Sequence, residues 1–277
     1  MVVSEIIAER LRIIVRDLGR TIVAFSGGVD SSLVLKICND ELDDVLAITA
    51  ASPSYPAYEL EKAKEIATHI GTRHLIVYGK EIDDDNYRKN TMQRCYFCKS
   101  NLYKQLEEVA REKGYKTIVN GVNSDDLFDF RPGMKAAEEF SVRSPLKEAG
   151  LGKKQIIDLA YELGLPNWNK PASPCLSSRV PYGITITPEI LEKIEKAENV
   201  LREVGINQFR VRYHKEIARI EVGKEEFAGI IEHAELIVQR IRNIGFRYVT
   251  LDLAGFKSGN LNMDLIKSQE SKTVYNY

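Results

Sequence analysis

Four short apolar runs, Thr21 to Phe25, Val45 to Ala50, His74 to Tyr78 and Thr117 to Asn120, are separated by stretches with helical spacing. Short runs without polar alternation belong to strands covered on both faces, and strands that alternate with helices pair in parallel. The expected helices begin with an opening segment whose apolar face carries Ile6, Ile7, Leu11, Ile14, Val15 and Leu18, ending at Gly19. Ser32 to Cys38, Ala57 to Ile70, and Lys99 to Lys113 follow. The expected fold class is α/β, a parallel sheet with helices on both faces.

Beyond Gly164 the alternation stops. Pro166, Pro171, Pro174, Pro181 and Pro188 punctuate a stretch in which continuous helix or central strand is hard to build. It reads as a crossing into a smaller α+β domain. That domain has a helix from Pro188 to Val204, strands near Gln208 to Tyr213 and Ala218 to Val222, a helix near Ala234 to Asn243, and a strand from Tyr248 to Leu253. A chain of 277 residues has room for both cores. The expected division is 1–180, 181–262 and a polar tail at 263–277.

Lys plus Arg number 39 against 40 for Asp plus Glu, so no global field holds a polyanion, and a nucleic-acid role would need a local patch. No run of about 18 apolar residues occurs, and the first residues mix acids with bases; the expectation is a cytoplasmic protein without a membrane partner. Four cysteines are too few for a disulfide framework in a chain this long and point to metal or thiol chemistry.

Ser26-Gly-Gly-Val-Asp-Ser-Ser32 lies between an expected strand and an expected helix, where backbone N–H groups and the positive helix end favour an anion. Gly27 and Gly28 let the backbone approach phosphate oxygens closely, Ser26, Ser31 and Ser32 add hydroxyls, and Asp30 suits a magnesium ion. Neither the Walker pattern nor Gly-x-Gly-x-x-Gly is present, which lowers kinase and dehydrogenase readings.

The segment resembles the PP-loop of the ATP pyrophosphatases. The resemblance implies ATP cleaved between its α and β phosphates, AMP transferred to a substrate oxygen, and pyrophosphate released from this loop. Ligands of such sheets bind outside the carboxyl ends of the strands, which adds Thr49 to Ser52 and Asn120 to Asp126. The ATP-binding candidates are Ala24, Ser26, Gly27, Gly28, Val29, Asp30, Ser31, Ser32, Thr49, Asn120, Gly121, Asn123 and Asp125.

Arg94-Cys-Tyr-Phe-Cys-Lys99 places a Cys-x-x-Cys near a helix start, between two cations that stabilise thiolates. Cys175 lies 77 residues beyond Cys98, in Lys170-Pro-Ala-Ser-Pro-Cys-Leu-Ser-Ser-Arg179. A redox dithiol, a structural zinc site and an iron–sulfur cluster with one open iron all fit three such thiolates. Zinc favours four ligands, and no histidine is near either segment. Cys38 sits among apolar neighbours and is expected in the core.

Taken together, SGGVDSS, RCYFCK, NGVNSDDLFDFRPG at 120–133, RSPLKEAGL at 143–151, PCLSSRVPYG at 174–183, FRVRYH at 209–214 and FRYVTLDLAGFKSGNLN at 246–262 resemble the LarE family. These are PP-loop sulfur transferases that act on a pyridinium mononucleotide in nickel-pincer cofactor synthesis. The resemblance implies that Cys175 handles sulfur. It further implies that Cys95, Cys98 and Cys175 hold a [4Fe-4S] cluster whose fourth iron has no cysteine and carries an extra sulfide. ATP, Mg2+, a sulfide source, and oligomer assembly through the second domain follow from it too. The catalytic candidates are Cys175, Asp30 and Arg179. Arg131, Arg143 and the strand pair Arg210 and Arg212 are anion-binding candidates for substrate. A PP-loop tRNA thiolase and an ATP-binding iron–sulfur sensor without turnover are the alternatives. The lack of a basic, aromatic-rich RNA module counts against the first.

Overall fold

The computed structural model describes residues 2–128 and 132–257, and the chain divides into two compact units between Pro174 and Cys175. Arg131 and the 263–277 segment lie outside the described residues.

The first unit runs α1 (Val2–Arg16), β1 (Thr21–Ala24), α2 (Val29–Glu41), β2 (Val45–Ala51), α3 (Ala57–Ile70), β3 (Arg73–Tyr78), α4 (Asp85–Arg88), α5 (Arg94–Lys113), β4 (Thr117–Val119), α6 (Pro132–Glu139), α7 (Pro145–Ala149) and α8 (Lys153–Glu162). Its four strands form one parallel sheet in the order β3-β2-β1-β4. One sheet face packs Val23, Phe25 and Ala47 against α1, α2, α3 and α8. The other packs Ile22, Leu46 and Ile48 against Tyr103, Leu106 and Ala136 from α5 and α6. Side chains alternate along each strand, so a strand covered on both sides must be largely apolar, which is what TIVA of β1 and VLAITAA of β2 show.

α2 is the central helix. Leu33, Val34, Leu35, Ile37 and Cys38 are all essentially inaccessible, the all-round burial of a helix with neighbours on every side. Burying each large aliphatic among them contributes about 1.5–3 kcal/mol. Cys38 is a core residue as expected, and burial pushes its thiol pKa up to about 12. α1 departs from expectation at Ile6, which is exposed. The inward stripe is Ala8, Leu11, Val15 and Leu18, and Ile6 falls outside that spacing.

The second unit contains α9 (Pro188–Glu203), β5 (Phe209–His214), β6 (Ile217–Val222), α10 (Phe227–Glu232), α11 (Ala234–Asn243) and β7 (Tyr248–Leu251). Its sheet order is β5-β6-β7, antiparallel then parallel. Ala197 and Leu201 of α9 and Ile237 and Ile241 of α11 pack on Val211, Ala218, Ile220 and Val222. No helix among the described residues is long and apolar enough to cross a membrane.

His74 illustrates how the sheet controls a titratable group. Thr49 Oγ1 donates to the Phe25 carbonyl (2.7 Å) and lies 2.8 Å from His74 Nε2. The hydroxyl has one proton, so the ring nitrogen supplies the other, which places a proton on Nε2 of His74. Burial, and then the Lys64 charge, lower its pKa below the ordinary 6.5. The unfolded chain therefore binds a proton before the folded one. Its contribution to stability is complete above about pH 6.5 and is lost as pH falls through the folded-state value. Urea unfolding of the wild type and of His74→Asn across pH 7.5 to 5 is expected to show the wild type's advantage shrinking toward acid.

Candidate active site

In the first sheet β2 and β3 extend to one side of β1 and β4 lies on the other, so the chain reverses direction across the sheet between β1 and β4. Loops after these two strands flank a crevice, the general ligand position of open parallel sheets. The Ser26–Gly28 loop leaves β1 and the Asn120–Asp126 segment leaves β4, so the two strongest sequence candidates meet there.

Gly27 has φ +62°, and a Cβ on it would lie 3.0 Å from Ala63 Cα and Cβ. Only glycine satisfies both the left-handed backbone and the contact. Gly28 caps α2, leaving first-turn N–H groups at the crevice. Ser31 Oγ donates to the Gly28 carbonyl (3.0 Å) and lies 3.1 Å from Ser26 Oγ. Val29 turns its side chain into the core, so only its backbone faces the loop. Ala24, the last residue of β1, is half-buried.

Gly121 closes the crevice from the other side. A Cβ there would lie 2.7 Å from the Ser31 backbone nitrogen, so the β4 loop touches the helix end directly. Gly121→Ala is expected to force the loops apart at about 1–3 kcal/mol, weakening ATP binding roughly tenfold. Equilibrium dialysis with ATP against wild type reads this directly.

Asp30 is half-buried between two donors, Lys153 Nζ at 2.7 Å and Asn123 Nδ2 at 3.3 Å. Asn123 also accepts from the Asp125 backbone (2.9 Å), and Asp125 Oδ2 accepts from Lys153 N (2.7 Å) at the start of α8. Asp125 thus serves as a helix cap for α8. Asn120 holds the base of the loop, accepting from Val122 N and Ser144 Oγ. The Thr49 hydroxyl is engaged inside the sheet, as above. Lys153, Asn167, Lys170 and Tyr55 also reach this site and were absent from the sequence candidates. Tyr55 donates to the Ser26 carbonyl (2.8 Å). Lys153 follows a glycine at a helix start, the one local signal that marked it.

The other candidates are distributed as follows. Cys95 and Cys98 lie in the first turns of α5, exposed and half-buried, while the neighbouring Arg94 is buried and donates to Asn90 Oδ1 (2.6 Å). Arg143 pairs on the surface with Glu148, which raises its pKa.

In the second unit, half-buried Cys175 precedes the short turn Leu176–Arg179. Arg179 Nη1 donates to the Cys175 carbonyl (3.1 Å), and its other nitrogens grip Glu198 at 2.8 and 3.2 Å. Arg212 donates to Glu221 (3.0 Å) and to the Ser178 carbonyl (2.7 Å). Arg210 is buried over the ring of Phe256 at 4.6 Å. Its pKa falls to about 10 through burial and through the charges of Arg179 and Arg212. Three buried arginines thus face two buried carboxylates, an excess of positive charge suited to an anion. Neither unit, among its described residues, gathers three or more His, Cys, Asp or Glu side chains as a metal site.

A parallel α/β sheet with this glycine-serine cradle at its reversal point defines an ATP pyrophosphatase. Residues 7–163 match the family model described as asparagine synthase. A Synechocystis protein described as uncharacterized is 47% identical, covering 94% of this chain and 98% of its own length. The pyridinium-3,5-bisthiocarboxylic acid mononucleotide synthase of Lactiplantibacillus plantarum is 41% identical, covering 92% and 93%. An uncharacterized Methanocaldococcus jannaschii protein is 34% identical, covering 86% and 91%. The chain belongs to the LarE family of PP-loop ATP pyrophosphatases and is an ATP-using transferase.

Proposed function

We infer that this enzyme is a cytoplasmic, oligomeric sulfur transferase that converts a carboxylate of a pyridinium mononucleotide to a thiocarboxylate. The observation that carries the reading is the cradle at the β1–β4 reversal, in a chain 41% identical to the Lactiplantibacillus plantarum synthase. A carboxylate is a poor electrophile at neutral pH, and adenylation remedies that. A carboxylate oxygen attacks the α-phosphorus, the bond to the β-phosphate oxygen breaks, and pyrophosphate leaves. A sulfur nucleophile then attacks the carbonyl carbon, and the C–O bond to AMP breaks.

The Gly28–Ser32 backbone and hydroxyls bind the leaving pyrophosphate. Asp30 holds Mg2+, exchanging the Lys153 ammonium for the metal, and the released lysine charge is then available to phosphate. Arg210 and Arg212 bind the mononucleotide phosphate, and Arg179 fixes the backbone of Cys175. The donor chemistry of Cys95, Cys98 and Cys175 fits an iron–sulfur cluster. All three have solvent access, whereas Cys38 is sealed in the core. A [4Fe-4S] cluster bound by these three would supply an exchangeable sulfide at its open iron.

The test is anaerobic incubation of protein with Mg·ATP, sulfide and the pyridinium dicarboxylate mononucleotide. AMP, pyrophosphate and thiocarboxylate are expected in step. Failure of the dicarboxylate to elicit AMP would overturn the reading. Iron and acid-labile sulfide analysis of the anaerobically purified protein tests the cluster separately.

A further inference from the structure

The phosphate loop is held from behind by a segment with no part in the chemistry described so far. Asn167 is buried and donates through Nδ2 to the Gly27 carbonyl (3.1 Å) and to Ser32 Oγ (3.0 Å). Lys170 Nζ donates to the same carbonyl (3.4 Å) and pairs with the buried Glu59. Two donors on one carbonyl fix the peptide that joins Gly27 to Gly28. In a trans peptide the C=O and N–H point in opposite directions, so pinning the carbonyl orients the Gly28 N–H on the other side, where it meets Ser26 Oγ, a hydroxyl of the cradle, at 3.4 Å. Gly27, at positive φ, is the residue most in need of that constraint.

The pinning segment is also the chain leading to the sulfur-handling cysteine. Pro171, Ala172 and Ser173 are exposed, and Cys175 follows Lys170 by five residues. We propose that Asn167 and Lys170 are positioning residues that set the Gly28 N–H for phosphate and link phosphate occupancy to the order of the segment running to Cys175. This rests on the ATP-using reading above. The sign of the linkage is fixed by thermodynamics. The segment stabilises the cradle conformation of the loop, and phosphate binds that conformation, so phosphate must stabilise the engaged segment.

Hydrogen exchange of the 167–173 peptide, followed by mass spectrometry with and without saturating Mg·pyrophosphate, tests this. Slowed exchange is expected in the wild type. The slowing should be lost in the Asn167→Ala/Lys170→Met double variant and retained in Lys170→Arg. Asn167→Asp, equal in size but placing an acceptor against the Gly27 carbonyl, should lose it as well, and decides the matter if the double variant does not fold. Slowing that persists in Asn167→Asp, or that is absent from a wild type that binds ATP by dialysis, would overturn the linkage. A wild type that binds neither ATP nor pyrophosphate would overturn the underlying reading and the linkage with it.

Discussion

Cys175→Ala is expected to abolish thiocarboxylate formation, by roughly a thousandfold or more, the scale on which enzymes lose rate when a reacting group is removed. ATP binding should be unaffected, because every contact to the cradle residues described above comes from the first unit. Cys175 is the only cysteine of the second unit, and its carbonyl is anchored by Arg179, itself locked to buried Glu198. Alanine keeps that anchoring and deletes only sulfur. Dialysis with ATP and a chromatographic assay for thiocarboxylate together separate the two effects. Equal loss of both would mean that the residue supports the fold.

Glu221→Ala is expected to produce the largest stability loss in the second unit, about 3–5 kcal/mol. Glu221 is wholly buried and pairs with Arg212 and Arg219. Removing it leaves the Arg212 guanidinium buried beside Arg210, whose own charge burial already disfavours. Against a typical total of 5–15 kcal/mol this is a large share. Trp168, the single tryptophan, belongs to the first unit, so its fluorescence should miss the change. Urea unfolding followed by far-UV circular dichroism should reveal an earlier transition. The double replacement Glu221→Met with Arg212→Met is expected to recover much of the loss, since the buried Arg212 charge goes with its partner and Arg219 keeps Asp252.

The first sheet was legible because its central strands, β1 and β2, are buried on both faces and therefore almost wholly apolar. Gly71 and Gly114, both in the left-handed conformation after α3 and α5, terminate those helices where the sequence indicated. α8 escaped notice for a physical reason. Ile156, Leu159 and Ala160 form too short an apolar stripe for its period to stand out, and its cap, Asp125, is remote in sequence. The Ser26–Ser32 loop announced itself because a phosphate cradle is local, made by consecutive residues. The groups that orient it, Asn167 and Lys170, lie some 140 residues away, and no spacing rule connects them. The alternation of Arg210 and Arg212 correctly placed them on one face, but it gave no sign that Glu198 and Glu221 would be buried with them.

Glu198 has a second duty beyond its pairing with Arg179. β5 borders its sheet, and Glu198 Oε1 accepts from the Val211 backbone N–H at 3.1 Å. A bordering strand with unpaired N–H groups is a template for another strand to add to, the route to edge-wise aggregation. By filling that position with a carboxylate from α9, the fold protects itself against polymerisation with the same side chain that secures its arginine.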